Sequence, residues 1–236
     1  MPSTRMDDPG ELYIVSTPIG NLSDVTLRAL EVLRSVDCIL CEDTRVTIKL
    51  LNRYEIKKPL LSVHSKSSKS VFNKVERIML SGKSAALVTD SGTPLISDPG
   101  AVLVRNLINL GVSVTPVPGP SSVHTALVAS GIPIDKYTFA GFMSRKAAKR
   151  KRQLKELSGT PVIFVFFESP HRVVSFLQDA DGVFGDVPVC VAKEMTKKYE
   201  TYYRGSFSEI LSRMGENLIK GEYTIVIDNR KKTGYK

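Results

Sequence analysis

Residues 11–21 read ELYIVSTPIGN, a short apolar run followed at once by a turn rich in proline and glycine. The run ELYIVS predicts a strand, and TPIGN at 17–21 predicts the loop that ends it. The same arrangement returns where SAALVT precedes SGTPLISDPG at 91–100, and where VSVTPV precedes PGPSS at 118–122. Helical patterns separate these runs, so their order predicts a parallel sheet covered by helices on both faces.

Two further apolar runs, VDCILC and LLSV, predict the remaining strands of this first half. The first helix is expected to begin near Asp24. Its buried side is predicted to carry Leu27, Leu30, Val32 and Leu33, which recur at helical spacing.

The second half is less regular, with apolar runs TFAGF, PVIFVFFES, VPVCVAKEM, TYYRG and EYTIVID. Their short connections predict a mixed sheet with antiparallel members. The chain is therefore expected to be a two-lobed α/β protein. We predict an N-terminal lobe at 11–130, a C-terminal lobe at 134–228, and flexible ends at 1–10 and 229–236.

Composition indicates a globular protein with a real core, because 42% of the 236 residues are hydrophobic and 24% are charged. The longest apolar stretch, at 161–167, is too short to span a bilayer, and the polar N-terminus does not resemble a signal peptide. Three cysteines suggest no disulfide framework and favour a reducing cytoplasm. Cys38 and Cys41 form a C-x-x-C spacing typical of redox or zinc sites, but an ordinary buried strand is the favoured interpretation.

The net charge of +9 favours a polyanionic partner. It is densest at 145–155, RKAAKRKRQLK, which holds seven basic residues and no acid. A solvated helix face is one interpretation of this segment, and contact with nucleic-acid phosphates is the favoured one.

The three Gly/Pro-rich loops point to a ligand site, because ligands of open parallel sheets bind beyond the carboxyl ends of the strands. Glycine allows close backbone approach and proline shapes the turn, so the loops predict a backbone-lined cleft for a small ligand. The sequence lacks G-x-G-x-x-G after the first strand, G-x-x-x-x-G-K-[ST] and G-x-S-x-G. Dinucleotide oxidoreductases, P-loop NTPases and α/β-hydrolases are therefore disfavoured. His124 is expected to be buried on a helix.

Several motifs occur in order along the chain: LYIVSTPIGNLSDVTLRALEVLRSVDCILCEDTR, VTDSGTPLISDPG, PVPGPSS, FFESPHR and AKEMTKKYE. From about residue 11 to 228 the sequence closely resembles the ribosomal RNA small-subunit methyltransferase I group of the tetrapyrrole methylase superfamily. TPIGNL, EDTR, the SGTP–SDPG loop and ESPHR distinguish this group from its porphyrin-methylating relatives.

The resemblance implies S-adenosylmethionine as cofactor, bound between two α/β lobes, and a homodimer acting on 16S rRNA or the small ribosomal subunit. The implied product is a 2′-O-methylated cytidine in the decoding region. No metal is expected. Motif position implies these cofactor-binding residues: Ile19, Thr93, Ile96, Ser121, Ser122, Phe167 and Thr224.

The candidate catalytic residues are Glu42 and Arg45 of EDTR, together with Lys193. A ribose hydroxyl is a poor nucleophile at neutral pH, so a base should help methyl transfer. Lys193 is interpreted as either a desolvated base or a phosphate contact. Asp43 is equally compatible with a helix N-cap, and Asp98 with a cap of the helix that follows it.

Longer members of the group continue beyond the last strand, so the basic segment is the candidate for holding RNA in this chain. The predicted RNA-binding residues are Arg145, Lys146, Lys149, Arg150, Lys151 and Arg152. Two rival functions stay open. One is methylation of a tetrapyrrole or a protein side chain by the same fold, and the other is non-catalytic RNA binding on a methyltransferase scaffold.

Overall fold

The structure, a computed structural model, describes residues 9–64, 67–214 and 220–230. Contacts divide the chain into two compact units, with the division between Ser121 and Ser122. Each unit is built on its own five-stranded sheet. Of the predicted flexible ends, residues 1–8 and 231–236 lie outside the described residues.

The first unit alternates strands and helices, as predicted. Its strands are β1 (Glu11–Val15), β2 (Cys38–Cys41), β3 (Leu60–Ser62), β4 (Ala85–Val88) and β5 (Ser113–Val117). Its helices are α1 (Leu27–Ser35), α2 (Thr44–Arg53), α3 (Lys69–Leu80) and α4 (Ala101–Asn109). The strand order is β3-β2-β4-β1-β5 and every pair is parallel, which confirms the predicted parallel sheet.

The core of this unit fills both faces of the sheet. Val15 and Ile39 belong to one buried cluster, whereas Leu12 and Leu40 belong to another. Successive side chains of a strand point to opposite faces, so a strand covered on both sides must be apolar throughout. This requirement explains the unbroken apolar runs of β2 and β4, all of whose residues are buried.

Helix α1 begins later than predicted. Asp24 ends a short 3-10 turn, and Thr26 is the N-cap whose side chain accepts a hydrogen bond from the Ala29 N–H at 3.1 Å. The expectation that Leu27 is buried is wrong, because its exposed fraction is 80%. At 3.6 residues per turn it lies about 110° from the mean direction of the buried residues Ala29, Leu30 and Leu33.

The second unit carries the predicted mixed sheet. Its strands are β6 (Tyr137–Phe142), β7 (Ile163–Glu168), β8 (Val189–Lys193), β9 (Thr201–Gly205) and β10 (Tyr223–Asp228). Its helices are α5 (Ser122–Ala129), α6 (Ala147–Ser158), α7 (Val173–Phe184) and α8 (Phe207–Met214). In the order β6-β7-β10-β8-β9, only β6 and β7 run parallel.

Helix α5 packs on β10 and β8 of this second sheet. The predicted lobe boundary at 130–134 lies beyond α5, whereas the contact-based division precedes it. The expectation of a buried His124 is wrong. The buried residues of α5 are Val123, Ala126 and Leu127, and the exposed His124 ring lies 2.9 Å from the Tyr137 hydroxyl.

Cys38 and Cys41 lie buried in β2, which agrees with their interpretation as strand residues. Burial raises the pKa of both thiols, so neither is an activated thiolate. Among the described residues, no helix has both the length and the apolar character needed to cross a membrane.

The two leucines of α1 test this packing. We expect Leu33→Ala, which removes a fully buried side chain, to lower the free energy of unfolding by about 2–5 kcal/mol. Leu27→Ala is the matched control and should change it by no more than about 0.5 kcal/mol, because that side chain is already in solvent. Urea denaturation followed by circular dichroism measures both, and equal losses would contradict the described position of α1.

Candidate active site

The three Gly/Pro-rich loops meet at the carboxyl edge of the first sheet, as the sequence predicted. They follow β1, β4 and β5, which are neighbours in that sheet. The Thr17 N–H donates to the Gly92 carbonyl at 2.8 Å, and the Gly92 N–H donates back at 3.1 Å. This two-way bond joins the first loop to the second beyond the ends of their strands.

Side-chain hydroxyls join the third loop to the other two. The Ser16 hydroxyl donates to Thr93 Oγ1 at 3.2 Å, and the Thr93 hydroxyl donates to the Pro120 carbonyl at 3.2 Å. Thr93 is a predicted cofactor residue. Its hydroxyl holds the loops together.

Two glycines allow the loops to approach this closely. Gly92 has φ +84°, and a Cβ there would lie 3.3 Å from Ile19 Cγ2. A Cβ on Gly119 would lie 3.0 Å from the Ser16 Cβ, which is closer than most real Cβ contacts, so Ser16 would have to shift. Ile19 is 6% exposed, so its side chain packs inside the loop cluster.

The second loop is the most strained of the three. Leu95 and Ser97 adopt positive φ values of 71° and 65°, which L-residues rarely do without compensation from surrounding structure. Ile96 between them is 47% exposed. The loop therefore presents this predicted cofactor residue to solvent on a constrained backbone.

Three carboxylates, Glu42, Asp90 and Asp98, gather beside these loops. Burial raises the pKa of each, and repulsion from the other carboxylates raises the pKa of Glu42 further. The Asp43 N–H donates to Asp90 Oδ1 at 3.2 Å, which connects the end of β2 to the end of β4. Perturbed carboxylates clustered beside a ligand cleft are candidates for function.

The EDTR motif divides its residues between two roles. Asp43 is the N-cap of α2 and accepts the Arg45 N–H at 2.8 Å. The Arg45 guanidinium returns to the same carboxylate at 2.6 Å, and these bonds lower the pKa of Asp43 to about 2. Glu42 is the residue of this motif that joins the carboxylate cluster, whereas the Arg45 side chain is 86% exposed.

Asp90 is the member of the cluster that sequence reasoning missed. It follows directly after the apolar run SAALVT, so its place as the first charged residue beyond a buried strand was the available signal. Asp98 does not cap α4, since Gly100 is the N-cap and no side-chain cap bond forms. The carboxyl of Asp98 instead bonds to the Thr89 side chain.

In the second unit, Phe167 and Thr224 are direct register partners on β7 and β10. They lie on the sheet face opposite Phe166 and Tyr223, whose side chains enter the helix-covered core. The Phe167 ring packs edge-on against Phe139, with centroids 4.8 Å apart. The two residues that the resemblance assigns to the cofactor are therefore adjacent.

Lys193 is placed apart from that pair. It is the register partner of Tyr223, so the two residues lie on the same face of the sheet. Phe167 and Thr224 lie on the opposite face. Its ammonium lies 6.0 Å from the centre of the Tyr223 ring.

The remaining cofactor candidates, Ser121 and Ser122, are half-buried at the start of α5.

The basic segment forms α6 and the turn before it, and its residues differ in exposure. Arg150 is 4% exposed, and its guanidinium pairs with Asp179 of α7 at 2.5 Å. Its assignment to RNA binding is therefore wrong, because a buried paired guanidinium cannot reach a phosphate. The other five predicted residues are exposed: Arg145, Lys146, Lys149, Lys151 and Arg152.

The ESPHR motif holds the start of this basic segment. Arg172 Nη2 donates to the carbonyls of Met143 and Ser144 at 2.8 and 3.2 Å. The same atom lies 2.9 Å from Glu168 Oε1, an ion pair that is not aligned as a hydrogen bond. Burial raises the pKa of Glu168. The motif thus fixes the backbone that leads into the exposed basic residues.

Comparison with known families agrees with this architecture. The family described as Tetrapyrrole (Corrin/Porphyrin) Methylases matches residues 11–211. A Bacillus subtilis protein named ribosomal RNA small subunit methyltransferase I is 43% identical over 94% of this chain and 76% of its own length. A Thermotoga maritima protein of the same name is 46% identical over 94% of this chain and all of its own length.

The chain belongs to the ribosomal RNA small subunit methyltransferase I family. The resemblance of its motifs to this family is confirmed, and so is its place among the tetrapyrrole methylases.

Solved structures confirm the tetrapyrrole methylase fold of this family member. A cobalt precorrin-4 methyltransferase of cobalamin biosynthesis matches with a TM-score of 0.70 at 21% identity, covering 92% of this chain and 94% of that one. A uroporphyrin-III C-methyltransferase from Thermus thermophilus, complexed with S-adenosyl homocysteine, gives 0.63 at 19% identity, covering 93% and 98%. At these identities the likeness concerns the fold alone.

The buried ion pair of α6 can be tested against its exposed neighbour. We expect Arg150→Ala to lower the free energy of unfolding by about 3–5 kcal/mol, because it leaves the Asp179 carboxylate without its buried partner. Lys149→Ala, the matched control, should stay within about 0.5 kcal/mol. Chemical denaturation of both variants measures this, and an unchanged Arg150→Ala stability would show that the arginine is not structural.

Proposed function

We propose that this chain is an S-adenosylmethionine-dependent methyltransferase that 2′-O-methylates a cytidine ribose in the decoding region of 16S rRNA. The observation that carries the proposal is the identity of 43–46% with proteins named ribosomal RNA small subunit methyltransferase I, over 94% of the chain. The nucleotide and the position of the methyl group come from the family resemblance. We also propose a cytoplasmic homodimer on the same ground.

The carboxyl edge of the first sheet fits the proposed cofactor. Hydrogen bonds among the loops fix a backbone-lined rim, and the half-buried carboxylates beside it make the region negative. Such a site suits a ligand that joins an adenosine to a positively charged sulfonium. The residues proposed to hold it are Ile19, Thr93, Ile96, Ser121, Ser122, Phe167 and Thr224.

When bound, S-adenosylmethionine supplies an electrophilic methyl group. What this chain must add is alignment of the ribose and removal of its hydroxyl proton. We assign proton removal to Glu42, whose pKa is raised by burial and by Asp90 and Asp98. A carboxylate with a raised pKa is a stronger base than an ordinary glutamate, so it accepts the 2′-hydroxyl proton more readily.

Arg45 and Lys193 are proposed to act on the RNA rather than on the proton. The Arg45 guanidinium is fixed by Asp43 yet remains exposed, so it can contact a phosphate beside Glu42. Lys193 lies at the end of β8, with its ammonium 6.0 Å from the centre of the Tyr223 ring, and is proposed to contact a phosphate.

The exposed basic residues of the α6 segment are proposed to hold the RNA backbone. They are Arg145, Lys146, Lys149, Lys151 and Arg152. Lys151 shares Asp179 at 3.3 Å and Arg152 lies 3.9 Å from Glu156, but both side chains remain more than 60% exposed. The Arg152–Glu156 pair is exposed on both sides, and surface pairs of this kind contribute little and can be exchanged for phosphate contacts.

The function is tested by transfer of a labelled methyl group from S-adenosylmethionine to 16S rRNA and to the small subunit, followed by nucleoside analysis. We expect 2′-O-methylcytidine, and its loss at one position in cells that lack the protein. If the label is transferred to a tetrapyrrole or to a protein and not to rRNA, the proposal is overturned, and the chain is a methyltransferase for that other substrate. Cofactor-free RNA binding with no transfer would identify a non-catalytic scaffold.

Glu42→Gln tests the assigned base. We expect kcat for rRNA methylation to fall by about 10²–10⁴-fold, because general-base catalysis typically contributes that much. The dissociation constant for S-adenosylmethionine should be nearly unchanged. In the wild type, kcat should fall as the pH drops through the raised pKa of Glu42, since protonation removes the base, and the variant should lose this dependence.

The exposed Glu31 of α1 provides the control for that measurement. Glu31→Gln removes one carboxylate from the same unit but lies outside the cluster, so its kcat and pH profile should match the wild type. Turnover of Glu42→Gln near the wild-type rate would remove Glu42 from the mechanism.

A further inference from the structure

An open groove with a volume of about 630 Å³ lies on the first unit, between α3 and the edge strand β3. Its apolar lining comes from Leu61, Val71 and Ile78. Its charged lining comes from Lys74, Arg77 and Lys83, and none of the described residues that line it is acidic. We call it the Lys74 groove.

The Lys74 groove runs along α3 from Ser70 to Ser81, and its cations lie towards the end of the sheet opposite the candidate active site. Lys83 precedes β4, and both Lys83 and Lys74 lie near Cys38, the first residue of β2. These positions mark the amino ends of the strands, whereas the three loops follow the carboxyl ends. The four residues of β4 span about 13 Å, so Lys83 is separated from the carboxylate cluster by about the length of a strand.

The three cations of the groove are available to a ligand. Within residues 9–64, 67–214 and 220–230, none of them forms an ion pair with a carboxylate. Arg77 Nε donates to the Asn73 carbonyl of its own helix at 3.2 Å, which leaves its charge unneutralised. Asp37, the acid close to Lys83, is already bound by the Ser84 N–H and hydroxyl at 2.7 and 2.9 Å.

Three positive charges around an apolar floor suit a segment of nucleic acid. Phosphates pair with the lysines and the arginine, while ribose and base faces can cover the leucine, valine and isoleucine. A flat anionic membrane would not enter a concave groove. An acidic peptide offers carboxylates, but the chain's proposed substrate is a long RNA that must extend beyond its target nucleotide.

We propose that the Lys74 groove binds the sugar–phosphate backbone of the rRNA substrate at a point remote from the methylated ribose. This inference rests on the proposed rRNA methyltransferase function. A remote contact of this kind binds the ground state and the transition state equally, so it lowers KM for a long RNA and leaves kcat unchanged. An RNA fragment too short to extend from the carboxyl edge of the sheet to these cations should gain nothing from the groove.

The test compares the triple variant Lys74→Ala/Arg77→Ala/Lys83→Ala with a matched control, Arg34→Ala/Lys57→Ala/Arg105→Ala. The control removes the same charge from exposed positions of the same unit that do not line the groove. Equilibrium binding to 16S rRNA and methyl transfer are measured over a range of salt concentrations, alongside the affinity for S-adenosylmethionine. Binding of an acidic peptide is measured in parallel.

For the groove variant we expect the slope of log affinity against log salt to become shallower by about 2, since three phosphate contacts each release about 0.7 counterion on single-stranded RNA. KM for 16S rRNA should rise, while kcat and turnover of a short target RNA stay at wild-type values. The control should keep the wild-type slope. A variant in which each lysine of the groove is replaced by arginine and Arg77 by lysine should show the wild-type slope.

Equal slopes for the groove variant and the control would overturn the inference, even when the wild type methylates rRNA normally. Groove-dependent binding of the acidic peptide without a change in RNA affinity would also overturn it. Failure of the proposed function has a different signature, because the wild type itself would then transfer no methyl group to any RNA.

Discussion

The backbone pair between Thr17 and Gly92 is the constraint on which the candidate active site depends. A parallel sheet leaves backbone groups without partners where its strands end, and buried groups of this kind must find hydrogen bonds elsewhere. Here the loops after β1 and β4 satisfy each other, and the Ser16–Thr93–Pro120 chain adds the loop after β5. Three turns thereby become a single rim. Gly92 is suited to this position in two ways. Its φ of +84° is rarely adopted by L-residues, and a Cβ there would lie 3.3 Å from Ile19 Cγ2.

The carboxylates beside that rim oppose stability. Burial raises the pKa values of Glu42, Asp90 and Asp98, and repulsion from neighbouring carboxylates adds to the effect, so their charged forms are costly. Such an arrangement is typical of sites kept for chemistry rather than for packing. Asp43 differs, because its bonds to Arg45 and its capping of α2 stabilise its charge. Adjacent acids of one motif thus serve opposite purposes.

Positive charge is organised in a similarly divided way. In α6 one arginine is turned inward to pair with Asp179, and this pair fixes the helix so that its neighbours face solvent. Arg172 performs a related task on the preceding backbone by binding two carbonyls. A basic segment is therefore presented by two arginines that are not themselves available to a ligand. On the first unit, the Lys74 groove collects its charge from α3 and the turn before β4.

Much of the fold was predictable from the sequence because it depends on local pattern. Continuous apolar runs separated by helical spacing determine a parallel sheet, and the carboxyl ends of its strands determine where the Gly/Pro loops gather. The family motifs are also local, and they identified the family. The position of Glu42 at the end of a buried strand could be assigned in this way.

What the tertiary structure decided depends on contacts between residues distant in the sequence. Leu27 and Leu33 share a helix and a residue type, and only the sheet beneath them determines which is buried. In the sequence, Arg150 cannot be distinguished from the other six basic residues of its segment. In the structure it is buried and paired with Asp179, 29 residues away. Asp90 joins Glu42 because β2 and β4 are neighbours in the sheet. The sequence alone determined the sheet, the loops and the family, whereas packing decided which charges remain free for chemistry, because burial and pairing are properties of the assembled neighbours.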